Sequence, residues 1–299
     1  MNSRIPEAVN ITACGDGLEL RIGNAVRNIG IPPRPAILDQ IDREMHKDEP
    51  DFKRLADVLG ADVGIAGSLI KVANSPLFGG AKKVRSVSEA LLMLGLTVTV
   101  KTVASLALRQ MFPHVPSLER FWDSAARTAR VSGWLVTHLQ GRTGIMVDDA
   151  YTLGLFRDCG IPVLMIPFPE YPHILKQANQ ETTLAFTAIE DHLLSINHAM
   201  VGAELAKNWL LPNEIIQAIR HHHDASAIDG ELFDLLTEPA RRLIAIVQVA
   251  EYLIQMTSGL SQTQEWGKLG AACMSQLDIS ESELVALLED CREVVASDE

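Results

Sequence analysis

Four cysteines in 299 residues, Cys14, Cys159, Cys273 and Cys291, are too few and too scattered for a disulfide framework, and no C-x-x-C pair is present to hold zinc. The chain also lacks a basic surplus. Lysine and arginine number 26 against 38 acidic residues, a formal net charge of −12, so a nucleic-acid backbone is repelled unless cations gather on one face. Lys82-Lys83-Val84-Arg85 is the best local cluster, and three basic residues in a loop read as a solvated turn. Gly64, Gly67 and Gly79-Gly80 lack the strand–turn–helix setting of a phosphate loop, and no Gly-x-Ser-x-Gly elbow occurs. The longest apolar stretch, Leu243 to Ile254, is interrupted by Gln248 and Glu251 and is too short to span a bilayer. The N-terminus, M-N-S-R-I-P-E-A-V-N, has no basic region followed by an apolar run, so no secretory signal is expected. Together these absences predict a protein of the reducing cytosol, with neither membrane nor nucleic acid as a partner.

What remains is apolar and helical in period. Hydrophobic residues make up 47% of the chain, enough for a substantial core. Residues 1–23 carry glycines and mixed charge without sustained period and read as a loose lead-in of no legible role. Ile31-Pro32-Pro33-Arg34-Pro35 forces an extended approach, after which Ile37, Ile41 and Met45 repeat at helical spacing. Asp51 stands as a cap before Phe52, Leu55 and Val58, Gly60 offers a stop, and a third short helix is predicted from Asp62 to Ala73. Asn74-Ser75-Pro76 ends it, because asparagine tolerates left-handed backbone and a residue before proline is pushed out of the α region. Ser86-Val87-Ser88-Glu89 matches a capping box that leads into helix as far as Gly95. Thr97 to Val100 alternates as a strand would. Leu96, Val100, Val103 and Ala107 nevertheless share one helical face, no partner strand is evident, and helix is predicted.

In the second half, Ser117 is placed to cap a long helix through Leu118, Trp122, Ala125, Ala129, Ser132 and Leu139. Asp148-Asp149 favours the start of another, running to Arg157-Asp158, and Pro162, Pro167, Pro169 and Pro172 prevent a long helix directly afterwards. Asn197 caps a helix with His198, Val201, Gly202, Leu205 and Trp209 on its core face. Pro212 opens one that ends at His223, with Ile215, Ile219, His222 and His223 on a shared face. At least two more helices follow Glu238. Leu243, Val247, Ala250 and Ile254 form one stripe, and Ser280-Glu281-Ser282-Glu283 caps the last helix, with stripe Leu284, Leu287, Cys291 and Val294.

The stretch Tyr151 to Gly160, Y-T-L-G-L-F-R-D-C-G, sets a charged pair in an apolar helical segment that ends at a glycine. Burying such a pair is costly unless its members satisfy each other or bind something. The stretch resembles the A-x-L-L-H-D-I-G signature of HD-superfamily phosphohydrolases, whose adjacent histidine and aspartate bind a catalytic metal; Arg157 stands where the histidine would be. Upstream, I-P-P-R-P-A-I-L, L-A-D-V-L-G-A-D, L-I-K-V-A-N-S-P-L-F and S-V-S-E-A-L-L-M-L-G occur in order, and with them the chain resembles an HDOD domain, an all-helical relative of HD and HD-GYP proteins. The resemblance implies an all-α, multi-helix HD-like bundle of two helical subdomains. It also implies that residues 24–224 form the HDOD domain, with its N-terminal helical part ending near 115 and its HD-like part starting near 117, and that residues 225–299 form a helical extension completing the bundle. One departure is early: Asp62-Val63 stands where the family has Asp-Pro.

An HD hydrolase gathers imidazoles and carboxylates on a metal that turns water into a nucleophile. By the resemblance, Ser124 falls near the first histidine position, Arg157-Asp158 at the pair, His198, His222 and His223 at the intervening histidines, and Glu251 at the late acid. Arginine keeps its proton, so Arg157 is expected to hold a permanent cation in the metal's seat and to give Asp158 a bidentate partner. No cofactor is then expected. Where an iron, manganese or zinc ion is retained, the resemblance assigns it to Asp158, His198, His222, His223 and Glu251. The plainer reading is that His221-His222-His223 caps a helix C-terminus. His46, His114, His138, His173 and His192 have no partner at ligand spacing and read as structural or surface residues. After His223 the chain continues Asp224-Ala225-Ser226 with no Gly-Tyr-Pro, so cyclic-dinucleotide hydrolysis is not supported. The leading expectation is a bacterial-type signalling regulator that binds a protein or small-molecule partner without hydrolysis. The alternatives are a divergent metal-dependent phosphohydrolase acting on a phosphoester or nucleotide, and an oligomerising scaffold, such as a homodimer, paired through apolar faces of the C-terminal helices.

Overall fold

The computed structural model describes residues 31–79, 83–112, 118–139, 141–260 and 262–296; the lead-in, Cys14, Lys82, His114 and Ser117 lie outside them. Every regular element among the described residues is helical. The N-terminal part is α1 (Ala36–Met45), α2 (Phe52–Gly60), α3 (Val63–Ala73) and α4 (Val87–Met111). Its local signals act as read: Asp51 accepts from the Arg54 N–H and Asp62 from the Ile65 N–H, so α3 starts cleanly without the family's proline. Asn74 departs from expectation. Its backbone is right-handed (φ −95°, ψ 0°), and its side chain holds the turn instead. The amide donates to the carbonyls of Ile70 (2.9 Å) and Val84 (2.8 Å), and its oxygen accepts from the Val84 N–H (2.9 Å).

The stretch that alternated like a strand lies within α4, which turns sharply at Gly95 (φ 70°, ψ 175°), a conformation that only glycine adopts without strain. Thr99 and Thr102 donate their hydroxyls to the carbonyls four residues back, which removes their polar groups from competition with the helix. By length and composition α4 could cross a membrane, and half of that apolar window is buried in the bundle. Among the described helices the longest apolar window therefore lies in α4 and not at Leu243 to Ile254, which had read as the longest apolar run.

The chain continues as α5 (Leu118–His138), α6 (Val147–Phe156), α7 (Gly160–Met165), α8 (Tyr171–Gln180), α9 (Phe186–Leu194), α10 (His198–Asn208), α11 (Asn213–His221), the short α12 (Ser226–Asp229), α13 (Glu238–Ser258), α14 (Glu265–Leu277) and α15 (Glu281–Ala296). α9 had no sequence signal, because Ala185 precedes it and no side chain caps it. α13 is the hub, packing on α5, α6, α11, α14 and α15. Leu243, Ile244, Ile246, Val247, Val249, Leu253 and Ile254 are each at most 2% exposed, so the helix is apolar nearly all round, as a core helix is. Its stripe is therefore spent inside the chain and does not form a free pairing face.

Three close approaches position the site. A Cβ at Gly154 would lie 2.5 Å from Ala129 Cα, which lets α6 sit directly on α5. A Cβ at Gly160 would lie 2.1 Å from the His198 carbonyl, and one at Gly202 would lie 3.1 Å from Cys159 Sγ, so α7 rests on α10 backbone to backbone. The glycine two residues after Asp158 thus sets His198 beside that aspartate. At the other end of α6, Lys101 of α4 is 6% exposed and reaches Asp148 (2.5 Å) and Asp149 (2.6 Å), joining the two helical parts.

Candidate metal centre

Arg157 follows the last residue of α6 and is 6% exposed. Its Nη1 and Nη2 each donate to one oxygen of Glu251 on α13, both at 2.8 Å, while Nε lies 3.1 Å from Asp158 Oδ2. The bidentate partner is therefore Glu251, where Asp158 had been expected. Glu251 is drawn to the guanidinium and does not join the donor group. Burial disfavours the Arg157 charge, but Asp158 and Glu251 outweigh it and hold the proton more firmly than in a free arginine. Asp158 is left with Oδ1 turned toward the histidines.

Asp158, His198, His222 and His223 bring one donor atom each within 4.8 Å of one another. Asp158 Oδ1 lies 3.5 Å from His198 Nε2 and 3.3 Å from His222 Nε2, and the two imidazole nitrogens are 3.3 Å apart. The opposite nitrogen of each ring is committed. His198 Nδ1 faces Glu190 (2.8 Å), His223 Nδ1 faces Glu265 (2.6 Å) and His222 Nδ1 faces the Ile219 carbonyl (2.8 Å). A carbonyl and an ionised carboxylate only accept, so each Nδ1 carries the proton and each Nε2 remains for the centre. At His222 the capping contact to the Ile219 carbonyl uses Nδ1 and leaves Nε2 facing the other donors, so the two readings do not compete for one nitrogen. His221 is instead part-buried and paired with Asp224 at 2.9 Å, and Ser124 also lies part-buried, on α5.

The charges are strongly coupled. Burial pulls the His198 imidazolium down, but Glu190 and Asp158 override it and carry its pKa up to about 10. Burial and the neighbouring His223 lower His222 to about 4, so a shared proton resides on His198. Burial raises Asp158 and Glu265, yet Arg157 with the two histidines holds Asp158 well below the carboxylate range, and His223 with Lys268 holds Glu265 at about 2.

Two acids, Glu190 on α9 and Glu265 on α14, were not found by sequence reasoning. Neither stands at ligand spacing from a histidine: Glu265 is 42 residues from His223, and α9 had no start signal. Four carboxylates, Asp158, Glu190, Glu251 and Glu265, meet two fixed cations, Arg157 and Lys268, leaving two negative charges to be offset by protons or by a metal. With three imidazole nitrogens and a carboxylate oxygen converging, the residues fit a divalent transition ion such as zinc, iron or manganese.

Residues 31–225 match the family model of the HDOD domain. A relative from Treponema pallidum (strain Nichols), an uncharacterized protein, is 27% identical over 241 residues; the match takes in 80% of this chain and 46% of that protein, so the chain spans about half the relative's length. An HDOD domain protein of unknown function from Geobacter sulfurreducens superposes with a TM-score of 0.64 at 22% identity, covering 94% of this chain and 97% of that one. A candidate phosphohydrolase from Shewanella amazonensis gives 0.66 at 18% identity, covering 91% and 93%. A candidate signal transduction protein from Marinobacter aquaeolei gives 0.58 at 22%, covering 93% and 65%. At these identities the likeness is one of fold, and the match of the family model to more than half of its length places the chain in the HDOD domain family.

Proposed function

We propose that this chain is a signalling regulator that acts by binding a protein or small-molecule partner, and that its His/Asp centre holds a divalent ion as a structural keystone without turning over a phosphoester. The observation that carries this reading is closure. His198 and His222 are fully buried and His223 is 8% exposed, while Asp158, at 23%, is the one donor with a partly open side chain. Structural metal sites are closed, whereas catalytic ones keep a position for water or substrate. Beside Asp158, where HD hydrolases present another imidazole, Arg157 and Glu251 occupy each other. The relation to a candidate signal transduction protein supports the regulatory role.

Asp158 Oδ1 and the Nε2 atoms of His198, His222 and His223 would hold the ion, which when bound supplies a Lewis acid able to polarise water. The protein's part is to hold these donors still, to neutralise them and to exclude solvent. In the metal-free chain the proton on His198 bridges toward Asp158 and His222 instead.

The test uses untagged protein. Metal analysis is expected to find one transition ion per chain, and an activated phosphodiester to show no turnover above buffer with manganese, iron or zinc. Turnover that vanishes in Asp158→Asn would overturn the regulatory reading in favour of the phosphohydrolase, a relative of which is suggested by the Shewanella structure.

A further inference from the structure

Glu190 and Glu265 are 0% and 1% exposed, and a carboxylate buried that deeply costs several kcal/mol unless it is paired. Each is paired with two residues. Glu190 accepts the Tyr171 hydroxyl, the His198 ring proton and the His198 backbone N–H at 3.3 Å. Glu265 accepts His223 Nδ1–H on one oxygen and Lys268 Nζ at 2.7 Å on the other. A pair formed only to neutralise charge has no reason to prefer either ring nitrogen. Here both carboxylates take Nδ1, the arrangement in which an imidazole's other nitrogen is aimed at a metal and made more basic. Phe186 packs between the pairs, stacked on His223 (4.6 Å, 11°) and edge-on to His198 (5.5 Å), so the rings cannot rotate out of register.

We propose that Glu190 and Glu265 are positioning residues of the centre: each fixes one imidazole with Nε2 inward, Tyr171 and Lys268 anchor them, and α14 thereby completes a site whose donors all lie elsewhere. The inference rests on the reading that the centre holds a divalent ion. It also makes the centre depend on Glu265 and Lys268, which lie beyond the residues matched by the family model.

The experiment uses the full chain, stripped by chelator, with zinc titrated against a chromophoric competitor and cobalt(II) as a spectroscopic probe. Glu190→Gln and Glu265→Gln are expected to weaken zinc binding about 10–100-fold and to shift the cobalt visible bands. Lys268→Met and Tyr171→Phe, which release one anchor each, shift both readouts the same way by less, and the exposed Glu238→Gln moves neither. Circular dichroism and a urea midpoint establish that each variant is folded. Should Glu190→Gln not fold, Tyr171→Phe carries that arm. Zinc affinity within about twofold of the parent in both glutamine variants, with unshifted cobalt bands and a parent that binds one ion, overturns the positioning role and leaves the metal reading standing. A parent that binds no stoichiometric ion overturns both.

Discussion

At its N-terminal end α6 offers Asp148 and Asp149 to a lysine from another helix; at its C-terminal end it offers Arg157 and Asp158 to a glutamate, and beyond them lie three histidines. The first end is simple. One cation serves two carboxylates that are 13% and 30% exposed, and the helix dipole favours the leftover negative charge. The second end buries Glu190, Glu251 and Glu265 almost completely, leaves Asp158 part-buried, and balances only two of these four carboxylates with fixed cations. The partly hydrated end can carry its surplus as it stands, whereas the dry end needs a proton or an ion. That difference separates a structural latch from a site.

The sharpest break is to remove one member of the dry pair. Arg157→Met leaves Glu251 buried and uncompensated and is expected to cost about 3–5 kcal/mol in urea unfolding, whereas the double change Arg157→Met with Glu251→Leu recovers most of that loss. A double variant as damaged as the single would show that the pair does more than neutralise itself. Next is Gly160→Ala. Its Cβ would meet the His198 carbonyl at 2.1 Å, so α7 and α10 must part, with an expected loss of about 3 kcal/mol and loss of zinc binding. Unchanged zinc affinity would mean that the donors do not depend on that contact.

At the latch, Lys101→Met should cost less, about 1–3 kcal/mol, because the two aspartates can hydrate when the cation is gone. A cost equal to that of Arg157→Met would erase the distinction drawn between the ends. The dry end also has an acid signature in the metal-free protein. His222 is held neutral, with its pKa lowered from 6.5 to about 4, so the unfolded chain takes up that proton first and stability falls as pH drops through this window. Glu265 is lowered from 4.5 to about 2, so its contribution is present above 4.5 and is lost as pH falls toward 2. Urea midpoints in EDTA across this range should decline in the parent, and the decline below pH 4.5 should flatten in Glu265→Gln. The smallest effect is a control remote from both ends: Val63, at the first position of α3 and 86% exposed, can accept the family's proline, and Val63→Pro should stabilise by about 0.5 kcal/mol with zinc affinity unchanged.

Much of the helical order was legible because caps and periodicity are local. Asp51, Asp62, Asn197 and Ser280 cap as read, and the stripes of α10 and α11 are buried. α9 was missed because its start depends on tertiary packing without a capping side chain. The role of Asn74 was misjudged because its side chain reaches Val84, ten residues away. At the site, the three histidines and Asp158 could be named from the family resemblance, which implies the order of the ligands along the chain. Their carboxylate partners could not, since Glu190 and Glu265 match no spacing and acquire meaning only when α9 and α14 fold over the rings.

The amino-acid order by itself determined an all-helical chain of HDOD type and the substitution of arginine for histidine at the signature pair. Only the tertiary structure decided where that arginine spends its charge. A guanidinium has five donors and pairs with whichever acid the packing brings in plane with them; α13 presents Glu251 edge-on, so Asp158 keeps one oxygen for the histidines. Identity of a charged residue is written in the chain, but its partner is chosen by geometry among groups far apart in sequence.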